Sequence, residues 1–292
     1  MVEALIKAGA FDALNPHRAG LLASVALAFE YADNLAANAD QGGLFDFGDS
    51  HAASTNEPDL VITEPWTLKE RLSLEKTAIG FYLTGHLFDE AEGEVRRFAR
   101  QRISDLRDSR DIQVVAGIVS GMRIINGQRG RVAIFSLDDK SDTIEAVANQ
   151  TTLDANKDLL KDDELVIISG KVQTDRFSGG LRLNVQDVMS LATARCRYAR
   201  FIRLTARGQQ LPMEEWLKEH AAKRIESEDP GLPDTYQGLG VRVVIERHTE
   251  ALSARGELDL GDRARVYPTD EALQRIKELM PDAQAMVVYG EG

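Results

Sequence analysis

The side chains able to do chemistry in this 292-residue chain fall into four groups. The first is a lone thiol, Cys196, in the run ARCRYAR. Neighbouring arginines favour a thiolate, but no histidine lies near in sequence to serve as a base, so an incidental or structural thiol is expected. The second is His86, which follows a helical stretch without a partner and reads as structural. The third is a population of basic residues. Arg96, Arg97, Arg100, Arg102, Arg107 and Arg110 make one run, and Arg195, Arg197, Arg200 and Arg203 another; both read as solvated helix faces. A further basic set stands at the ends of β runs: Arg123, Arg129 and Arg131 around RIINGQRGR, and Lys171, Arg176, Phe177 and Arg182 around FSGGLRL. Guanidinium groups bind phosphate, and an aromatic ring beside them can stack on a flat base. The fourth group is QGGLFDF, residues 41–47. It shows neither helical nor alternating apolar periodicity, and its two glycines disfavour a helix. Leu44 and Phe45, with the Gln41 amide before them, have the form of a peptide anchor for another protein's pocket. The alternative is that the pair tucks back onto a neighbouring helix.

The elements around these groups change character along the chain. Residues 3–11 read as the end of a helix. Asn15 and Pro16 would open the next as N-cap and first helical residue, with Leu21, Val25 and Phe29 recurring at helical spacing. That helix is expected to fade in NLAANAD, before QGGLFDF. Residues 50–65, rich in Asp, Ser, Asn and Pro, read as a linker. A helix then starts near Thr67, with Leu68, Leu72, Glu75 and Ile79 on one stripe and Glu75-Lys76 on an outer face, and should stop near Gly85. From residue 112 the period becomes that of strands: IQVVAGIV, with a bulge expected at Gly117, then RVAIFSL, TIEAVA, ELVIISGKV and GLRLNVQDV. A short helix, TLDANKDLL, lies between the third and fourth, and a hairpin around Ser178-Gly179-Gly180 joins the last two. Five strands with a helix in that place and a glycine within the first describe an OB-fold barrel. Residues 195–292 alternate again: MEEWLKEHAAKRI as helix, VRVVIE as strand, a helix entered at Thr269, and MVVY as strand. The chain reads as a multidomain α+β protein: a helical end (1–49) bearing the peptide 41–47, a linker (50–65), a helical connector (66–110), an OB-fold five-stranded β-barrel (111–194) and a small C-terminal α+β domain (195–292).

Composition narrows the classes. With 43% hydrophobic and 28% charged residues the chain is an ordinary globular one, and no apolar run approaches a membrane span. A single cysteine excludes an internal disulfide and a Cys-based metal site, and a reducing cytoplasm is the natural compartment. The amino-terminal residues are too charged for a signal peptide. A net charge of −12 argues against gripping duplex DNA over the whole surface, so any nucleic-acid contact must be local.

Several segments, taken in order, resemble the C-terminal part of the alpha subunit of bacterial DNA polymerase III. These are ALIKAGAFDAL with PHRAGLL, KERLSLEKTAIGFYLTGH, AGIVSGMRIINGQRGRVAIFSLDD, IISGKV, FSGGLRL and ARCRYAR, and the resemblance covers nearly the whole chain. Gly85-His86-Leu87 stands where the family has Gly-His-Pro. The resemblance implies that Gln41, Leu44 and Phe45 bind the beta sliding clamp, that the OB domain contacts single-stranded template, and that the C-terminal domain docks the tau subunit of the clamp loader. It also implies that the catalytic palm, with the two Mg²⁺ of polymerisation, belongs to the rest of the polymerase chain upstream of Met1. This chain is then expected to be catalytically silent alone and to carry no cofactor of its own. Two other readings stay open: a stand-alone OB-fold single-strand-binding protein with a decorative QGGLFDF, and a module whose OB domain docks protein.

Overall fold

The computed structural model describes residues 1–41, 57–127, 130–175, 179–206, 213–226, 234–248, 253–281 and 283–290. The chain divides into two units, residues 1–90 and 91–292. The first holds α1 (Val2–Lys7), α2 (Arg18–Ala23), α3 (Val25–Gln41) and α4 (Leu68–Ile79). Its centre is polar. Arg18, nearly buried, donates to both Asp12 oxygens and, at 2.7 Å, to Glu75 Oε1. Glu75, fully buried, also accepts from the Leu83 and Thr84 amides at 2.9 and 3.1 Å and from the Thr84 hydroxyl at 2.6 Å. An outer face was expected for Glu75; its charge is instead matched inside the unit, because a buried carboxylate persists only where donors surround it.

Helix boundaries shift for identifiable reasons. His17, not Asn15, caps α2, accepting from the Gly20 amide at 2.9 Å, while Asn15 accepts from the His17 amide. α4 opens on Thr67 with a reciprocal capping box to Glu70, worth about 1 kcal/mol, and stops at Gly80, which takes φ +91°. The stop falls short of Gly85 because Gly80 supplies the left-handed turn first. α3 runs through NLAANAD as far as Gln41, where a fading helix was expected; its alanines favour continuation.

The second unit begins with the end of α5 (Asp89–Val95) and builds β1 (Ile112–Gly127), β2 (Gly130–Asp138), β3 (Thr143–Ala148), α6 (Gln150–Ala155), β4 (Leu165–Thr174) and β5 (Leu181–Met189). The strands form a closed barrel in the order β1-β2-β3-β5-β4, antiparallel except for β3 beside β5. Alternation fills the barrel with Val115, Ala133, Phe135, Leu137, Ile144, Ile168 and Leu183, and α6 adds Leu153 at one end. Gly117 lies within a regular stretch of β1–β4 pairing. The bulge expected there occurs between Ser120 and Arg123, where Gly121 takes φ +62°. Gly117 is needed for a different reason: an added Cβ would lie 2.7 Å from the Asp138 carbonyl oxygen.

Beyond the barrel come α7 (Leu191–Tyr198), β6 (Ala199–Ala206), α8 (Met213–Glu219), β7 (Lys223–Ile225), β8 (Thr235–Gln237), β9 (Leu239–His248), β10 (Ser253–Asp259), β11 (Arg265–Val266), α9 (Asp270–Leu279) and β12 (Gln284–Tyr289). A mixed sheet of order β10-β9-β6-β12 is covered on one face by Trp216, Ala272 and Ile276 of α8 and α9. Thr269 caps α9 as expected. The helix expected through Ile225 ends at Glu219, because Ala221 and Ala222 pair with Val266 and Arg265, and Lys223–Ile225 pairs with β8.

Two arginines expected on solvated faces are structural. Arg195, nearly buried, donates to both Glu94 oxygens at 2.8 and 2.7 Å and to the Pro268 carbonyl at 2.8 Å; Tyr289 donates to Glu94 at 2.6 Å. Arg96 donates at 2.6 Å to Asp139, whose side chain is wholly buried. Cys196 is half-buried, and burial pushes its thiol up to about 11 despite Arg265, Lys223 and Arg195 nearby. No helix among the described residues is long and apolar enough to cross a membrane.

Candidate nucleic-acid interface

The barrel's outer surface follows from register. In β2 the inward Ala133, Phe135 and Leu137 alternate with the outward Ile134 and Ser136, and in β3 the outward set is Thr143, Glu145 and Val147. Directly paired residues project on the same side of a sheet. Arg123 pairs with Ile134, Ile134 with Val147, Ser136 with Glu145, and Glu145 with Arg182. Arg123 and Arg182, 59 positions apart in sequence, therefore meet over one carboxylate. Arg182 Nε donates to Glu145 Oε1 at 2.9 Å and Arg123 Nη2 to Oε2 at 3.3 Å. Arg182 also faces Asp175 at 3.1 Å. Beside them lie the exposed Ile125 and the half-buried Ile134 and Val147.

The structure does not bring the whole expected basic set together. Arg123 and Arg131 were expected at the ends of β runs; β1 continues to Gly127 and β2 starts at Gly130, so both lie in the arms of a long hairpin. Arg131 has the parity of the inward residues and turns toward α6, donating to Asp154 at 2.8 Å. Lys171 pairs with Asn184 on one side and Ile112 on the other, further round the barrel, and forms no ion pair among the described residues. Phe135 is core, 1% exposed. Arg129, Arg176, Phe177, Leu44 and Phe45 lie outside the described residues, and of Gln41 the structure describes only the helical backbone.

Sequence reasoning missed the carboxylates. Glu145 neutralises two of the candidate arginines and Asp154 a third. The signal was available: TIEAVA alternates, and its only charged residue sits at an outward position beside the basic strands. These pairs are solvent-exposed, with side-chain exposures of 64% and 36% for Arg123 and Glu145, so each contributes only about 0–1 kcal/mol and a phosphate can compete for the guanidinium. Asp154 is held below the usual carboxylate range by Lys157 first and also by Arg131. The surface offers two arginines, a shared carboxylate and an aliphatic strip. Such a face suits phosphate contact and apolar base contact better than base stacking.

Residues 113–191 match the family described as OB-fold nucleic acid binding domain, so the barrel is an OB-fold of that class. The match extends far beyond the barrel. Over nearly its whole length the chain is homologous to proteins named DNA polymerase III subunit alpha, and it belongs with a segment of that subunit. It is 45% identical to the Neisseria meningitidis protein over 282 residues, covering 96% of this chain and 23% of that one. Against the Pseudomonas aeruginosa protein it is 36% identical over 301 residues, covering 95% and 24%. Against that of Escherichia coli K12 it is 30% identical over 298 residues, covering 99% and 24%. The chain thus spans about a quarter of the length of these curated relatives. Among solved structures, the second OB-fold domain of replication protein A from Methanococcus maripaludis aligns at 18% identity and a TM-score of 0.25, over 31% of this chain and 93% of that one.

Proposed function

We propose that this chain is the part of a replicative polymerase alpha subunit that keeps the enzyme on its template. In this reading the OB barrel holds single-stranded DNA, with Arg123 and Arg182 on phosphates and Ile125, Ile134 and Val147 against bases. Gln41, Leu44 and Phe45 bind the beta sliding clamp, and residues 195–292 dock the tau subunit. Polymerisation and its Mg²⁺ belong to the rest of the polymerase. The observation that carries the reading is homology to the alpha subunit across both units, with an OB-fold inside it.

For the clamp, support comes from the residue pattern and from α3, which leads directly into it. Burying Leu44 and Phe45 gives roughly 3–6 kcal/mol gross, part of which ordering the peptide removes. An isolated contact is then about micromolar or weaker, and tethering on DNA raises the effective concentration. Titration with purified sliding clamp tests this: wild type binds and Leu44→Ala/Phe45→Ala does not. Equal binding by the two would sink the clamp assignment. For the barrel, a salt series with labelled oligothymidylate should show affinity falling steeply with salt, and Arg123→Ala/Arg182→Ala should weaken it. Absent or salt-independent binding would favour the protein-docking reading of the OB domain.

A further inference from the structure

The first arginine run is only partly absorbed by the fold. Arg96 pairs with Asp139 and Glu92, and Arg102 lies 3.9 Å from Glu92. Arg97, Arg100, Arg107 and Arg110 are exposed and form no ion pair among the described residues. Phe98 shares a groove with Arg100 and Arg107 and stacks on two tyrosines. Its centroid is 5.0 Å from that of Tyr198, with planes 4° apart, and 5.8 Å from that of Tyr289, at 28°. All three rings are half-buried. Arg197 lies over Tyr198 at 5.7 Å and Arg97 over Tyr289 at 5.8 Å. Phe98 also walls an open groove of about 470 Å³ lined by Arg100, Arg107 and Ile112. Ile112 pairs with Lys171, which places the groove beside a basic residue that forms no ion pair among the described residues.

Tying the connector to α7 and β12 accounts for the three rings. It does not account for guanidinium groups beside them that have no carboxylate partner among the described residues, since like charges brought together repel. Two carboxylates, Asp105 and Asp111, line the groove as well, but neither takes an arginine out of play as Glu145 does on the barrel face. Arginines with no carboxylate partner among the described residues, beside the half-exposed edge of an aromatic ring and in a groove with room for a nucleotide, make a combination that binds single strands by phosphate contact, with a base against the ring edge.

We propose that this groove is a second contact for single-stranded nucleic acid, separate from the β1-β2-β3-β5 face, with Arg100 and Arg107 on phosphates and a base against Phe98. It goes beyond the proposed function, which places the strand on the barrel face alone. The test uses the full chain and a fluorescein-labelled oligothymidylate of about 20 nucleotides, longer than the roughly 4–16 that an OB fold occupies. Arg100→Ala/Arg107→Ala should bind about tenfold more weakly at low salt, and the slope of log affinity against log salt should fall by roughly 1.4 for two lost phosphate contacts. Arg100→Lys/Arg107→Lys should keep most of the affinity, and Phe98→Leu should lose several-fold with the slope unchanged. Unchanged binding by the alanine pair overturns the proposal, and so does a lysine pair as weak as the alanine pair. If Arg123→Ala/Arg182→Ala binds like wild type while the groove variant is weakened, the barrel-face reading fails and the groove stands.

Discussion

Glu145 offers the sharpest handle on the barrel face, because one carboxylate holds two arginines. Replacing it with glutamine keeps the shape and the acceptor but removes the charge. A phosphate seated on Arg123 and Arg182 would lie about 6 Å from that carboxylate, where repulsion is about 0.7 kcal/mol in water and about 2.8 kcal/mol at an effective dielectric of 20. The Glu145 side chain is 36% exposed, which places the working value between those limits, near 1–1.5 kcal/mol. Two exposed ion pairs must also loosen before the guanidinium groups turn to phosphate, adding about 0.2–1 kcal/mol each. The sum is about 1.4–3.5 kcal/mol, so Glu145→Gln should bind labelled oligothymidylate at least roughly ten-fold, and up to about several-hundred-fold, more tightly at low salt. The gain should shrink above about 0.1 M salt, where the screening length is about 10 Å. The control is Glu214→Gln, the same change of net charge on α8 at a side chain 85% exposed, which should leave affinity unchanged. Fluorescence anisotropy reads both. Unchanged or weaker binding by Glu145→Gln, or an equal gain from Glu214→Gln, would refute the reasoning.

Three further outcomes follow from the fold. Burial raises the Glu75 carboxyl, but the donors from Thr84, Arg18 and Leu83 outweigh it and hold the group at about 2 against an ordinary 4.5. The stability this gives is complete above about pH 4.5 and is lost as pH falls toward 2, about 3 kcal/mol in all. Amide protection factors in residues 1–90 should fall across that window, and the same acid profile in Glu75→Gln would show that another group is responsible. Gly117→Ala should cost about 1–3 kcal/mol in urea unfolding, because its Cβ would press on the Asp138 carbonyl; wild-type stability would refute the close approach. The Cys196 thiol, raised to about 11, should resist a disulfide reagent at pH 8 until denaturant is added; labelling of the native chain at the rate of a free thiol would contradict that.

The barrel was legible because its strands alternate and its turns carry glycine. TIEAVA and RVAIFSL lead directly to Ile144, Ala146, Phe135 and Leu137 in the core. What local pattern misses is partnership across long separations. Nothing around Glu75 signals that Arg18 will neutralise it 57 positions away, and nothing around Arg195 signals Glu94 at 101. Helical spacing alone puts such residues outside, because charged side chains usually are. The same blindness affects the candidate site. Arg123 and Arg131 look equivalent in RIINGQRGR, yet strand parity sends one to the outer face and the other toward α6. The bulge residue was misplaced because a glycine inside a strand can mean a kink or a close neighbour, and the two differ only in tertiary contact.

The Glu94 carboxylate has a consequence for biosynthesis. It precedes its arginine by 101 residues and its tyrosine by 195. At a translation rate of about 5–20 residues per second, the ribosome needs roughly 10–40 s between Glu94 and Tyr289. During that interval the barrel strands can already pair, while a group destined for partial burial waits for its last hydrogen-bond donor. The nascent barrel is thus expected to pass through a stage in which its amino-terminal approach is ordered only provisionally, and the synthesis of β12 completes it.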